Sequence, residues 1–207
     1  MASIAPEIAE PHGDTAHSGP PFAVPDFDIV PRAGLVFAGI ILVALIVVVA
    51  TGGLWALEFM HVVFGAGWTV IDLFLGFIIG PILGSLSIPA RIEFTTRFMP
   101  KMVVLMPAIV TATLVAGWQL STHLGTNLTS YPQHGWVVAS MIVVGVMAIV
   151  ALGLLEPANI AVLVELKKPR PNPAVIERLM KRFIYAAGIT GIMQIATFVI
   201  MTKLASS

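Results

Sequence analysis

Residues 54–83 read LWALEFMHVVFGAGWTVIDLFLGFIIGPIL, an apolar run long enough to cross a bilayer with some tilt. No turn signal interrupts it before Gly80-Pro81. Placed at about 100° per residue on a helix, Glu58, His61, Gly65, Trp68 and Asp72 fall within an arc of about 80°. Ionisable groups in hydrocarbon cost roughly 2.5–3.5 kcal/mol each on insertion scales. A chain keeps them there only where they face protein, water, a metal or a cofactor. The fold class that follows is all-α: a polytopic membrane helix bundle.

The rest of the chain agrees. Its 207 residues are 57% hydrophobic and 11% charged, where a soluble domain carries about 25% charge. Four more apolar runs reach spanning length, at residues 33–50, 102–120, 135–155 and 183–203. Barrel strands are shorter, about ten residues of alternating pattern. Net charge is zero, so bulk electrostatics points to no nucleic-acid partner. There is no cysteine, which excludes disulfides, thiolate metal sites, cysteine-held iron–sulfur clusters and covalent c-type haem. No GxxxxGK[ST], GxGxxG, HExxH or GxSxG motif is present.

Charge in the connections orients the bundle. Arg91, Arg97 and Lys101 lie between the second and third spans, and Lys167, Lys168, Arg170, Arg178, Lys181 and Arg182 between the fourth and fifth. The turn 51–53 and the loop 121–134 hold no Lys or Arg. The positive-inside rule makes both basic connections and the amino terminus cytoplasmic. Residues 1–32 form a polar, proline-rich extended arm with no basic residue before Arg32, unlike the basic start of a signal peptide. The arm and the 156–182 loop are the expected docking surfaces for other membrane subunits. Asn127-Leu128-Thr129 matches the glycosylation sequon, a short pattern of low specificity.

Depth sorts the stripe into two sites. At 1.5 Å per residue His61 lies about 10 Å below the outer surface and Asp72 about 27 Å below it. At His61's level the other spans offer Thr113 and Gly117, Ser140 and Met141, and Gln194 and Thr197. Asp72 is expected to meet Arg97, Lys101 or Arg182 as an ion pair, because intramembrane charges usually pair. Its alternative role is a proton-relay carboxylate. Imidazole is a common metal and haem ligand. His61 is therefore a candidate axial ligand, with Glu58 holding its other ring nitrogen, Gly65 and Gly117 leaving room for a flat ring beside Trp68, and Met141 as sixth ligand. The alternative is a histidine hydrogen-bonded to Glu58 or to a neighbouring helix. His61, His123 and His134, with Met60, could instead hold copper at the outer face.

Trp55, His61 and Trp68, then Arg97-Phe98-Met99-Pro100-Lys101, Pro107 and Gly117, resemble a superfamily of small bacterial membrane proteins. It includes the haem-associated, oxygen-independent protoporphyrinogen oxidases and the copper-resistance D family. The resemblance covers about half the chain. It implies a bacterial inner-membrane protein binding b-type haem through His61, with a redox or haem-handling role. Glu58 stands near where the oxidases carry a lysine, and Phe77–Pro81 lacks their Pro-Arg step. Those departures favour haem binding over the oxidase activity. The alternatives are a non-catalytic subunit of a larger membrane complex and a copper-handling protein.

Overall fold

The structure is a computed structural model that describes residues 24–126 and 128–206. Every regular element among them is helical. Five helices run up and down: α1 Arg32–Thr51, α2 Leu54–Ser85, α3 Ile88–His123, α4 His134–Leu166 and α5 Pro173–Ala205. All five are long and apolar enough to cross a membrane, and the protein is a multi-pass membrane protein. Their outward faces carry Val36, Phe37, Ile46, Ile149 and Val199, the side chains that contact with lipid tails requires.

The connections follow from local chemistry. Gly52 takes a φ of 63°, a left-handed conformation that ends α1 at little cost for glycine. α2 starts two residues later. Asn172 caps α5 by accepting from the Ala174 and Val175 N–H groups, with Pro173 in the first helical position. The Asp26 carboxylate meets Lys167 at 3.2 Å, and the Thr95 hydroxyl reaches Met180 Sδ at 3.7 Å. The amino-terminal segment, the 86–87 turn and the 167–172 loop therefore share one end. All Lys and Arg residues except Lys203 fall toward this basic end. At the far end, Trp55, Trp118 and Trp136 are exposed, as interfacial belts are.

Three helices run further than the apolar windows indicate. The third span begins at Ile88 rather than residue 102, the fourth ends at Leu166 rather than 155, and the fifth begins at Pro173 rather than 183. A hydropathy window finds only the hydrocarbon-depth part. Beyond it the helical period continues at Ile92, Thr96 and Met99, at Ala158, Val162 and Leu166, and at Ile176, Met180 and Phe183. These stripes close on one another and on Leu83 in the main core. The expected 156–182 loop shrinks to six residues, and Glu156 moves into a helix.

Val24, Phe27 and Ile29 pack on the basic end of this core, and the Lys167 ammonium sits 4.6 Å above the Phe27 ring. Residues 1–23 of the expected arm, and Asn127 of the sequon, lie outside the described residues. A smaller core joins α1 and α3 through Ala38, Ile41, Leu45, Ala108, Ala112 and Ala116, with Met60 of α2. Lipid tails are as apolar as leucine, so close packing and interhelical hydrogen bonds hold such helices together. The backbones of α2 and α5 come close together at Gly76 and Gly188. A Cβ added to Gly76 would lie 2.6 Å from Gly188 Cα.

Two helices widen locally. Phe74–Ile79 in α2 and Ala151–Leu155 in α4 are π-helical. Each widened stretch spans the residue four before a proline, Phe77 before Pro81 and Gly153 before Pro157. A proline ring collides with that carbonyl in a regular α-helix, and widening relieves the clash.

Candidate functional site

α2 carries two polar sites. The first is His61, half-buried, whose Nδ1–H donates to the Thr113 carbonyl of α3 at 2.9 Å. The ring lies close against Gly117. A Cβ there would come within 2.5 Å of ring atoms Nδ1 and Cε1. Gly65, one turn along, faces the Thr113 methyl group. The two glycines thus let α2 and α3 approach around the imidazole. The tautomer that donates from Nδ1 leaves an unprotonated Nε2 with no hydrogen-bond partner among the described residues.

Several expected partners are elsewhere. Glu58 is exposed and makes no bond to His61. Met141 is 37% exposed on α4, a helix that packs on α5 rather than on this part of α2. The three histidines do not converge: no group of three metal-binding side chains occurs among the described residues. His123 Nδ1–H instead donates to the Gln119 carbonyl at 2.8 Å, while His134 Nδ1 is buried without a partner. Among the described residues, His61 therefore stands without the partners expected to complete a haem site with it.

The second site is Asp72, 1% exposed, about three turns further along α2. Its Oδ2 accepts from the Thr190 hydroxyl at 3.0 Å and from Gln194 Nε2 at 2.9 Å, both on α5. The Trp68 indole nitrogen approaches the same carboxyl without reaching hydrogen-bond geometry. The close Gly76–Gly188 crossing just below allows these contacts. The expected ion pair is absent. Arg97 pairs with Glu93 on its own helix at 2.7 Å, and Lys101 and Arg182 are exposed. Lys101 lies one residue from the cavity-lining Met102 but on the outer face of α3, so sequence proximity did not become contact.

Beside Asp72 lies a cavity of about 20 Å³. Asp72, Glu156 and Asn159 are its polar lining residues, and Met102, Met106 and Pro107 of α3 are among its apolar ones. Asn159 is 1% exposed and donates to the Met99 carbonyl at 3.4 Å, but its Oδ1 has no partner. Glu156 Oε1 and Gln194 Oε1 are likewise buried and unpartnered. Neither Asp72 nor Glu156 has an ion pair among the described residues. A volume near 10–15 Å³ already has room for one water.

The sequence pattern does not single out Glu156 or Asn159, because Glu156-Pro157 reads as a helix end. The available signal is the repeated acid-and-proline pattern, Asp72 with Pro81 and Glu156 with Pro157. Gln194, expected at His61's depth, bonds Asp72 instead.

No family model, no curated protein and no solved structure matches this chain.

Proposed function

We propose that this membrane protein binds and relays protons at an Asp72–Glu156 pair in the interior of its bundle. The observation that carries the reading is that two carboxyl side chains, from α2 and α4, line one small cavity together with Asn159. Intramembrane ionisable groups without counter-charges are costly, and they mark proton and ion pathways. A structural role would be served by a basic partner, and this pair has none among the described residues. Asp72 is held in place by Thr190 and Gln194, which fix its position without fixing its charge.

The proposal puts the basic end on the cytoplasmic side of a bacterial inner membrane, following the positive-inside rule. Residues 24–31 over the 167–172 loop then form a cytoplasmic surface for other membrane subunits. The chain lacks cysteine, so Ser130→Cys and Arg170→Cys report orientation directly. An impermeant reagent outside intact cells should label only the first.

The test of the function is proton flux into liposomes under a potassium diffusion potential, read by an internal pH dye. Wild-type protein should dissipate the potential, and Asp72→Asn or Glu156→Gln should slow the flux at least about tenfold. Flux unchanged in both variants would refute the proposal.

A second reading keeps haem. It is favoured by the His61 Nε2, which has no hydrogen-bond partner among the described residues and, in the neutral tautomer that donates from Nδ1, is the atom that can ligate metal. Such a haem would sit at the bundle edge and take its other ligand and its enclosure from another subunit. The protein would supply one ligand and the macrocycle the redox chemistry. A Soret band in the purified complex, lost in His61→Ala, would support it.

A further inference from the structure

The last turns of α5 break the charge pattern of the bundle. Lys203 stands at the far end, while every other Lys and Arg falls toward the basic end. It lies on a groove of about 450 Å³. The α5 residues that line the groove are Ile195, Phe198, Val199, Thr202, Lys203 and Ser206. Their spacing is that of one continuous helical face. Trp136, in the first turn of α4, lines the groove beside them.

The chemistry changes along this face. Ile195, Phe198 and Val199 are apolar and at least 46% exposed, so they are wall and not core. Thr202, Lys203 and Ser206 follow and are also exposed. The Ser206 hydroxyl donates to the Lys203 carbonyl at 3.2 Å, so Thr202 supplies the hydroxyl donor at the mouth. From Ile195 to Lys203 the helix rises about 12 Å, most of the ~15 Å of hydrocarbon in one leaflet. A phospholipid has the same order over the same length: acyl chain, an interface where indoles collect, then a charged headgroup.

The charge selects among headgroups. No carboxylate lines the groove to meet the ammonium group of a zwitterionic headgroup. Glu58, the acid at this end among the described residues, is on α2 and does not line it. A lysine binds phosphate as a point charge, and basic pockets between membrane helices hold anionic headgroups.

We propose that this groove binds one anionic phospholipid of the far-end leaflet, with its phosphate at Lys203 and Thr202 and an acyl chain along Ile195, Phe198 and Val199. The inference does not depend on the carboxyl pair.

The test is fluorescence quenching of the full-length protein in nanodiscs of phosphatidylglycerol and phosphatidylcholine in fixed proportion. Bromine is carried on the acyl chains of one lipid or of an equal number of molecules of the other. Trp55→Phe with Trp118→Phe leaves Trp136 as the exposed tryptophan, since Trp68 is 2% exposed. Bromine on phosphatidylglycerol should quench Trp136 about fivefold more than bromine on phosphatidylcholine, the enrichment that one lysine's attraction for anionic lipid gives. Lys203→Gln should abolish the difference and Lys203→Arg should keep it. Lys203 is exposed in the last turn of α5, so neither change disturbs the packing of the bundle. In the control background, Trp55→Phe with Trp136→Phe, the exposed Trp118 should show no preference. Equal quenching of Trp136 by the two lipids, or none by either because a neighbouring subunit covers the groove, would overturn the inference. So would an equal preference at Trp118, or a preference at Trp136 that survives Lys203→Gln.

Discussion

His61 and Asp72 occupy one face of α2, about three turns apart, yet the first meets backbone and the second meets side chains. His61 donates to the Thr113 carbonyl and rests on Gly117. Its surroundings are complete on one edge of the ring and open on the other. Asp72 is enclosed by Trp68, Thr190 and Gln194 and lines a cavity together with Glu156 and Asn159, and several of these side chains have atoms that lack partners. One site is a helix–helix joint. The other keeps unsatisfied polar groups in a bundle interior, which chemistry would justify and packing alone would not.

The comparison breaks most visibly at the α2–α5 crossing. Gly76→Val forces side-chain atoms into the Gly188 backbone and should destabilise the bundle by about 3 kcal/mol, the upper part of the range for overpacking. It should also separate Asp72 from Thr190 and Gln194 while sparing the His61–Thr113 bond on the other side of α2. Histidine NMR shifts and detergent unfolding of the same variant would check both halves. A stable variant with an unchanged Asp72 environment would mean the crossing does not hold the site.

Gln194→Leu sharpens the contrast at the carboxyl. It removes one of two donors to Asp72 and should cost about 2 kcal/mol, within the range for an unserved buried acceptor. Gly117→Ala is the matching change at the joint. Its methyl group displaces the imidazole from Thr113, and the loss should be about 1 kcal/mol, the scale of an interhelical hydrogen bond in a membrane. A larger loss of stability in Gly117→Ala than in Gln194→Leu would invert the ranking of the two sites.

The bundle was legible in the sequence because long apolar runs and the Lys/Arg asymmetry depend only on local composition. The polar stripe was legible for the same reason: Glu58, His61, Trp68 and Asp72 share a helical period. Partners were not. His61's acceptor is a backbone carbonyl, which every residue carries, so no pattern could point to Thr113. Asp72's partners depend on where α5 begins, and the stripe Ile176, Met180, Phe183 that extends it is diluted by Arg178, Lys181 and Arg182 in any hydropathy window. Glu156 reads as loop because proline after an acid resembles a helix stop, and only the widened turn at Ala151–Leu155 lets the helix continue.

The smallest effect should be at the amino-terminal segment. Asp26 is fully exposed, so Asp26→Ala should leave stability nearly unchanged. Limited proteolysis should still cut between residues 24 and 31 faster than in wild type, as Lys167 loses one of its two contacts there. Equal cleavage rates would show that the Phe27 packing alone holds the segment.

The central claim is that the working groups of this protein are the carboxyls and not the histidine. Proton flux in liposomes, compared between Asp72→Asn and His61→Ala at equal protein density, tests it most directly. The account predicts that Asp72→Asn loses at least about nine-tenths of the flux while His61→Ala stays within about twofold of wild type. The reverse pattern, with flux abolished in His61→Ala and retained in Asp72→Asn, would contradict it.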